Sequence, residues 1–378
     1  MSEMLVAQRH ELLLRELRAK GVVRITEVAA RYGVSGGTIR RDLTELAAAG
    51  LVTKVRGGAV PAEPSASSAP PAEPAPQHSP GPPSPARAPA QAPGGGPTLG
   101  LLVPSATYYY PQVVAGVRAA AEERGARVVI GLTSYAEPRD LRQVAALRAS
   151  GTVGLLVTTT GNHHLPTGTL AQLRASGVPF VLMERQPEEP YEPCEYVVSD
   201  HRQGAYTAVR HLHDLGHRRV ALFVNGSPTA PLIQEGYRAA VGRLGLDPSA
   251  PVMDSGRPLL APAEAASRYD AFVEACVAGR TRAALVHSDH DAIEIMHRLR
   301  GRGLRTPDDV ALVAYDDEIA ELAEVPLTAV APPKYEVGAQ AARLLLDRLA
   351  APDDGLAERQ LALRPRLIVR RSCGAAAA

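Results

Sequence analysis

EYVVSDHRQGAYTAVRHLHDLGHRRVALF, residues 195–223, carries in one stretch the alternation that decides the fold. A short apolar run opens it, a helical pattern follows and stops near Gly216, and RRVALF starts a second apolar run. Apolar runs of strand length separated by helical patterns of about 10–15 residues signal parallel strands buried on both faces.

The same unit recurs on either side. Upstream lie TLGLLVP, VVAGVRAAAEERG ending at Gly125, ARVVIGLTS, LRQVAALRASG, VGLLVTTT, LAQLRASG and VPFVLME. Downstream lie LIQEGYRAAVGRLG, AALVHS, AIEIMHRLRGRG and VALVAYD. Repetition on this scale from residue 98 onward predicts an α/β fold of two doubly wound subdomains. Ligands in such folds sit beyond the carboxyl ends of the strands.

The chain has 378 residues, more than one domain usually holds, and a 45% apolar fraction that supplies real cores. It lacks an apolar run of about 18 residues, so no membrane span is expected. Glu3, Glu11 and Glu16 in the N-terminal stretch argue against a secretory signal. Cys194, Cys276 and Cys373 are odd in number and far apart, which suits reduced thiols in a cytoplasm better than disulfides or a zinc site. The net charge of +1 hides an asymmetry: residues 1–60 carry +4, residues 61–97 carry −1 and the remainder −2. A basic segment is often just a solvated surface, so charge alone does not assign it to nucleic acid.

Residues 61–97 contain 13 prolines in 37 positions and no Val, Ile, Leu or aromatic. They can bury nothing, so a linker stiffened towards polyproline II is expected, with a reach of roughly 115 Å at about 3.1 Å per residue. The chain thus divides into a head, 1–60, a linker, 61–97, and a body, 98–378.

The head reads as three helices and a two-stranded wing. Leu5, Leu12, Leu13 and Leu17 stripe the first helix, which ends at Lys20-Gly21; Thr26 is expected to cap the second, with Val28 and Ala29 inward. Gly33 makes a turn and Ser35 caps the third helix, where Ile39, Leu43 and Leu46 form one buried stripe. At about 100° per residue, Gly37, Arg41 and Thr44 then point away from the core, flanked by Arg40. Guanidinium groups reach guanine edges or phosphates, and glycines let backbone amides approach phosphates closely. Each glycine costs about 1 kcal/mol of helix propensity. GLVTKVRGGAV supplies the wing, with Lys54 and Arg56 beside Gly57-Gly58.

Across QRHELLLREL, VRITEVAARYGVS, TIRRDL and GLVTKVRGGAV the head resembles the DeoR-type winged helix-turn-helix. The resemblance implies double-stranded DNA contacts from Ser35, Gly36, Gly37, Thr38, Arg40, Arg41 and Thr44, with Lys54 and Arg56 on the backbone. Without it, such a head could equally dock a protein. The body resembles the LacI/GalR-type ligand-binding domain through residues 195–223, GRGLRTPDDVALVAYDD and RPRLIVRRS. That implies a periplasmic-binding-protein-like body with a ligand cleft and dimerisation, its N-subdomain at about 98–197 and 333–355 and its C-subdomain at about 198–332 and 356–372. The hinge helix of LacI-type heads has no counterpart in the Pro-rich linker.

By the same resemblance the effector sits against Tyr109 and Tyr110 and hydrogen-bonds Asp316. Tyrosines at such a turn can instead close a core, and Asp316 can be an acidic turn residue. Where the family carries a cleft Arg and an Asn, this chain has Ile233 and Ser288. That predicts an effector flatter, less hydroxylated or more apolar than a simple hexose; the ligand class expected from the resemblance is a sugar, sugar phosphate or nucleoside-like molecule. HSDHD at 287–291 is expected to be a turn in which Asp289 caps a helix, and HLHDLGH an exposed helix face; neither is expected to hold metal. Nucleophile-elbow, phosphate-loop and dinucleotide fingerprints are absent, so neither enzyme activity nor a cofactor is expected. The expectation is a cytoplasmic, dimeric, nucleoid-associated repressor of bacterial type. A cytoplasmic sensor whose head docks a protein is the alternative.

Overall fold

Two separate units make up the computed structural model, Met1–Ala92 and Pro93–Ala378. The structure describes residues 12–14, 16–17, 23–32, 34–48, 52–55, 58–61, 96–133, 139–257, 260–351 and 355–375. Leu5, Lys20-Gly21, Gly33, Arg56, Gly57 and linker residues 62–95 lie outside the described residues.

In the first unit, residues 12–14 and 16–17 are helical and bury Leu13, Leu14 and Leu17. Strand β1 (Val23–Arg24) leads into helix α1 (Ile25–Tyr32), then α2 (Gly36–Ala48), β2 (Val52–Val55) and β3 (Gly58–Pro61). Thr26, expected as a cap, falls inside α1, because the chain enters that helix straight from β1. The wing has three strands rather than two: β3 pairs antiparallel with β2 and also with β1, Val23 opposite Ala59 and Arg24 opposite Gly58. Gly58 is obligatory for that pairing, since a Cβ there would lie 1.9 Å from the Val23 carbonyl oxygen. Ile39, Leu43 and Leu46 pack with Val28, Val52 and Ala59 in one core.

The second unit holds two sheets. The first is built from β4 (Thr98–Val103), β5 (Arg127–Leu132), β6 (Gly154–Val157), β8 (Phe180–Met183), β10 (Tyr196–Ser199) and β16 (Gln360–Leu363). Its order is β16-β10-β8-β6-β4-β5 and every pairing is parallel. Helices α3 (Tyr110–Glu123), α4 (Arg139–Ala149), α5 (Thr167–Ala175) and α10 (Lys334–Ala350) belong with it, and β7 (His164–Leu165) pairs with β9 (Gln186–Pro187) beside it. The second sheet runs β12-β11-β13-β14-β15-β17, comprising β11 (Ala221–Val224), β12 (Val252–Asp254), β13 (Ala283–Val286), β14 (Ala311–Tyr315), β15 (Thr328–Ala331) and an antiparallel β17 (Arg366–Ile368). Helices α6 (His201–Asp214), α7 (Ala230–Leu244), α8 (Pro262–Ala278) and α9 (Asp289–Gly301) accompany it.

Three crossings link the sheets: after Ser199, after Ala331 and after Leu363. The third falls later than residue 356, because Gln360–Leu363 pairs in parallel with Tyr196–Ser199 and keeps the chain on the first sheet. Helices α3 and α10 cross at Gly116 and Gly338, where a Cβ would come within 2.0 Å of the Tyr335 and Val113 carbonyl oxygens respectively. Among the described residues no helix is long and apolar enough to cross a membrane.

Candidate functional site

On α2, Ser35 Oγ accepts from the Thr38 amide at 3.0 Å and its carbonyl takes the Ile39 amide at 3.2 Å, which caps the helix as its residue type predicts. With Ile39, Leu43 and Leu46 buried, Gly37, Arg40, Arg41 and Thr44 are exposed. Thr44 Oγ1 turns back to the Arg40 carbonyl at 2.7 Å. A Cβ at Gly37 would meet only Ser35 Oγ, at 3.5 Å, so packing inside the head does not require glycine there. Lys54 lies on β2 with its side chain outside the described set.

In the body, the carboxyl ends of both sheets face each other across a buried polar cleft. From the first sheet, the turn after β4 sends Tyr108 over: its hydroxyl lies 2.5 Å from Asp289 Oδ1 and 3.2 Å from Asp316 Oδ2. Asp289 begins α9 and also accepts the Glu318 and Ile319 amides at 2.7 Å each, so its lone pairs are filled. Asp291 is likewise spent, on the Ser288 amide at 2.7 Å, Tyr269 Oη at 2.6 Å and Asn225 Nδ2 at 3.3 Å. Asp316, just past β14, accepts from Tyr108 alone among the described side chains, and His287 Nε2 stands 3.7 Å away. Lys334 reaches across from α10 to the Asp316 carbonyl and to Glu318, with its Nζ 5.1 Å from the Tyr109 ring centre. On the first sheet, Glu184 takes Tyr109 Oη at 2.7 Å, Ser199 Oγ at 2.7 Å and the Ser199 amide at 3.0 Å.

Burial pushes Asp316 up to about 6, against the opposing pull of Lys334. Burial also raises Glu184, but hydrogen bonds and charge from His201, with donors from Ser199 and Tyr109, outweigh it and bring the carboxyl to about 2. His287 is lowered to about 4, chiefly by burial, and so is neutral at pH 7. Tyr108 and Tyr109 are raised well above 10 by burial and by the carboxylates beside them, so both remain donors. Backbone strain collects here too: Tyr108, Glu184, Asp316 and Asp317 have φ of 57°, 52°, 84° and 57°. Such left-handed residues cost about 1–3 kcal/mol each and gather where function holds them.

The expected effector residues separate in space. Asp316 lies in the cleft, and Tyr109 is there with its hydroxyl committed to Glu184. Tyr110 packs with Val113 and Val117 in the first core, and Ile233 is fully buried in a core of the second sheet. Ser288 rather than Asp289 is the N-cap of α9. Its backbone and hydroxyl both bind Asp291, because Asp289 is turned to Tyr108 and the Glu318 and Ile319 amides. His211, expected on an exposed face, is half-buried with Nε2 3.3 Å from Cys373 Sγ. Tyr108, Glu184, His201, Asp289 and Lys334 were not among the expected residues. Their only sequence signal was position just beyond apolar runs.

Known proteins resemble this chain in both units. Residues 9–65 match a family model described as a DeoR-like helix-turn-helix domain, and residues 209–373 one described as a periplasmic binding protein-like domain. The ribose operon repressor of Escherichia coli (strain K12) is 30% identical over 280 residues, covering 73% of this chain and 82% of its own. The transcriptional regulator CelR of Thermobifida fusca is 30% identical over 274 residues, 70% of this chain and 76% of its own. A solved complex of a transcriptional regulator CelR with cellobiose superposes with a TM-score of 0.63 at 28% identity, covering 74% of this chain and 85% of that one.

Proposed function

We propose that this chain, which belongs to the LacI family of transcriptional regulators, is a repressor whose hold on DNA is set by a carbohydrate or related metabolite bound between its two sheets. Its head, 1–60 with the wing running on to Pro61, is of the DeoR-like type and binds DNA. Ser35, Gly36, Gly37, Thr38, Arg40, Arg41 and Thr44 meet the major groove, and Lys54 and Arg56 meet phosphates. The protein acts as a homodimer in the cytoplasm and is not an enzyme.

One observation carries the effector half of this reading. Asp316 is a buried carboxylate with a single side-chain donor, that donor comes from the opposite sheet, and its own backbone is strained. A buried carboxylate with spare lone pairs suits a ligand that brings hydroxyl or N–H donors. Tyr109 completes the wall, while Tyr110 and Ile233 lie in the cores and Ser288 is engaged with Asp291, so none of these three is assigned to the effector. The ribose and cellobiose in the names of the relatives point to the same ligand class. The test is operator binding by the full chain, measured by fluorescence anisotropy against a panel of sugars, sugar phosphates and nucleosides. The reading expects one class to change operator affinity and Asp316→Ala to abolish that response. A response that survives Asp316→Ala would contradict it.

A further inference from the structure

Arg185 is 2% exposed and is the largest fully buried side chain among the described residues. It follows Glu184 at the carboxyl end of β8. Its Nε donates to the Thr159 carbonyl at 3.1 Å and its Nη1 to the Glu184 carbonyl at 2.7 Å. Nη2 has no hydrogen-bond partner among the described residues, though the guanidinium lies close to the Tyr110 hydroxyl, which its charge holds down against the effect of burial. A guanidinium stays charged at every accessible pH, and a buried charge without a counter-charge is costly to keep. The carboxylate of its neighbour Glu184 is turned instead to Ser199, Tyr109 and His201.

Two further buried polar atoms lack partners on the segment after β6, Thr159 Oγ1 and His163 Nδ1. The Gln186 amide donates to the His163 carbonyl at 3.1 Å, which ties that segment to the residue beside Arg185. His163 Nε2 lies 3.2 Å from Gln186 Oε1, an acceptor, so Nε2 carries the proton and Nδ1 presents a lone pair. Burial, with the charges of His201 and Arg185, lowers this ring to about 3 and keeps it neutral. The unfilled positions are therefore a charged donor, a hydroxyl and a ring acceptor.

These three requirements select a ligand. A carboxylate accepts from the guanidinium and from the Thr159 hydroxyl, and a hydroxyl on the adjoining carbon donates to Nδ1. A neutral sugar leaves the guanidinium uncompensated, and a free phosphate dianion, which carries no hydroxyl-bearing carbon, has no proton for Nδ1. We propose that Arg185, Thr159 and His163 form a subsite for the carboxylate and adjacent hydroxyl of an aldonic acid, with Asp316 taking hydroxyls at its other end. The proposal rests on the cleft being the effector site.

Calorimetric titration of the full chain with D-gluconate, D-galactonate and D-xylonate tests it, beside the parent aldoses and their phosphate esters. At least one aldonate should bind tighter than its aldose by about tenfold or more, and Arg185→Gln and Arg185→Lys should each remove that preference. Thr159→Val deletes an unpartnered hydroxyl, so it should leave the unliganded Tm unchanged or higher while weakening aldonate binding several-fold. Tighter binding of an aldose or a phosphate ester than of any aldonate would overturn the subsite. So would aldonate binding indifferent to both Arg185 variants. If an aldose shifts operator affinity while the aldonates do not, the subsite alone falls. If no compound shifts operator affinity, the effector reading falls with it.

Discussion

Asp316 keeps its proton to a pH at which an ordinary aspartate has lost it. Its folded value near 6 lies above the usual 3.8, so the stability it contributes is complete below about pH 4 and is lost as pH rises through about 6. The difference corresponds to about 3 kcal/mol. Asp316→Asn cannot ionise. In denaturant unfolding its stability relative to the parent should therefore rise between pH 4 and 7, whereas a flat difference would contradict the burial of this carboxylate. Glu184 works with the opposite sign. Its value of about 2 makes its contribution present above about pH 4.5 and lost as pH falls towards 2, so Glu184→Gln should be most destabilising at neutral pH and least so in acid.

At this scale the sequence was legible only in part. Asp316 could be found because it ends an apolar run. The tyrosines at 108–110 could not be told apart by composition: Tyr110 shares the helical stripe of Val113 and Val117 and goes to the core, whereas Tyr108, in a left-handed conformation, crosses the cleft. Glu184 and His201 come within 3.5 Å of each other because β8 and β10 pair in parallel, a long-range fact that local periodicity does not encode.

Among the elements, the long ones announce themselves. Ile39, Leu43 and Leu46 mark α2 by spacing, and Ser35 marks its start. Strand β1 has two residues and no period to detect; what betrays it is Gly58, needed where Val23 comes closest. Gly58→Ala should therefore part β1 from β3 and lower the thermal stability of the head by several degrees, read by circular dichroism. Gly37→Ala has room for its methyl, so it should stabilise the head by up to about 1 kcal/mol and weaken operator binding if backbone approach is the reason for glycine. Unchanged operator affinity would remove that reason. Leu43→Ala, in the middle of the stripe, should cost about 2–5 kcal/mol.

At the scale of the whole molecule, the cleft is held by side chains that bridge the two sheets, Tyr108 to Asp289 and Asp316, and Lys334 to Glu318. A ligand that binds Asp316 competes with Tyr108 and so favours one arrangement of the sheets over another, which is the differential contact that coupling requires. Residues 61–97 hold no Val, Ile, Leu or aromatic with which to pack against either unit, and by that composition they make a poor lever for a rigid rotation. Control would then pass through dimer geometry and the effective concentration of the second head at its half-site. Exchange of residues 61–97 for a Gly/Ser segment of equal length should leave the effector response intact in an operator titration, and complete loss would assign the linker a specific role.

The most direct measurement is selection of operator duplexes from a random library by the full chain, followed by titration of the winner at 50–200 mM salt. The account predicts a two-fold symmetric site, affinity falling steeply with salt, and a slope reduced by about 1 when Lys54 or Arg56 that contacts a phosphate is replaced by alanine. Failure to enrich any duplex sequence would contradict it.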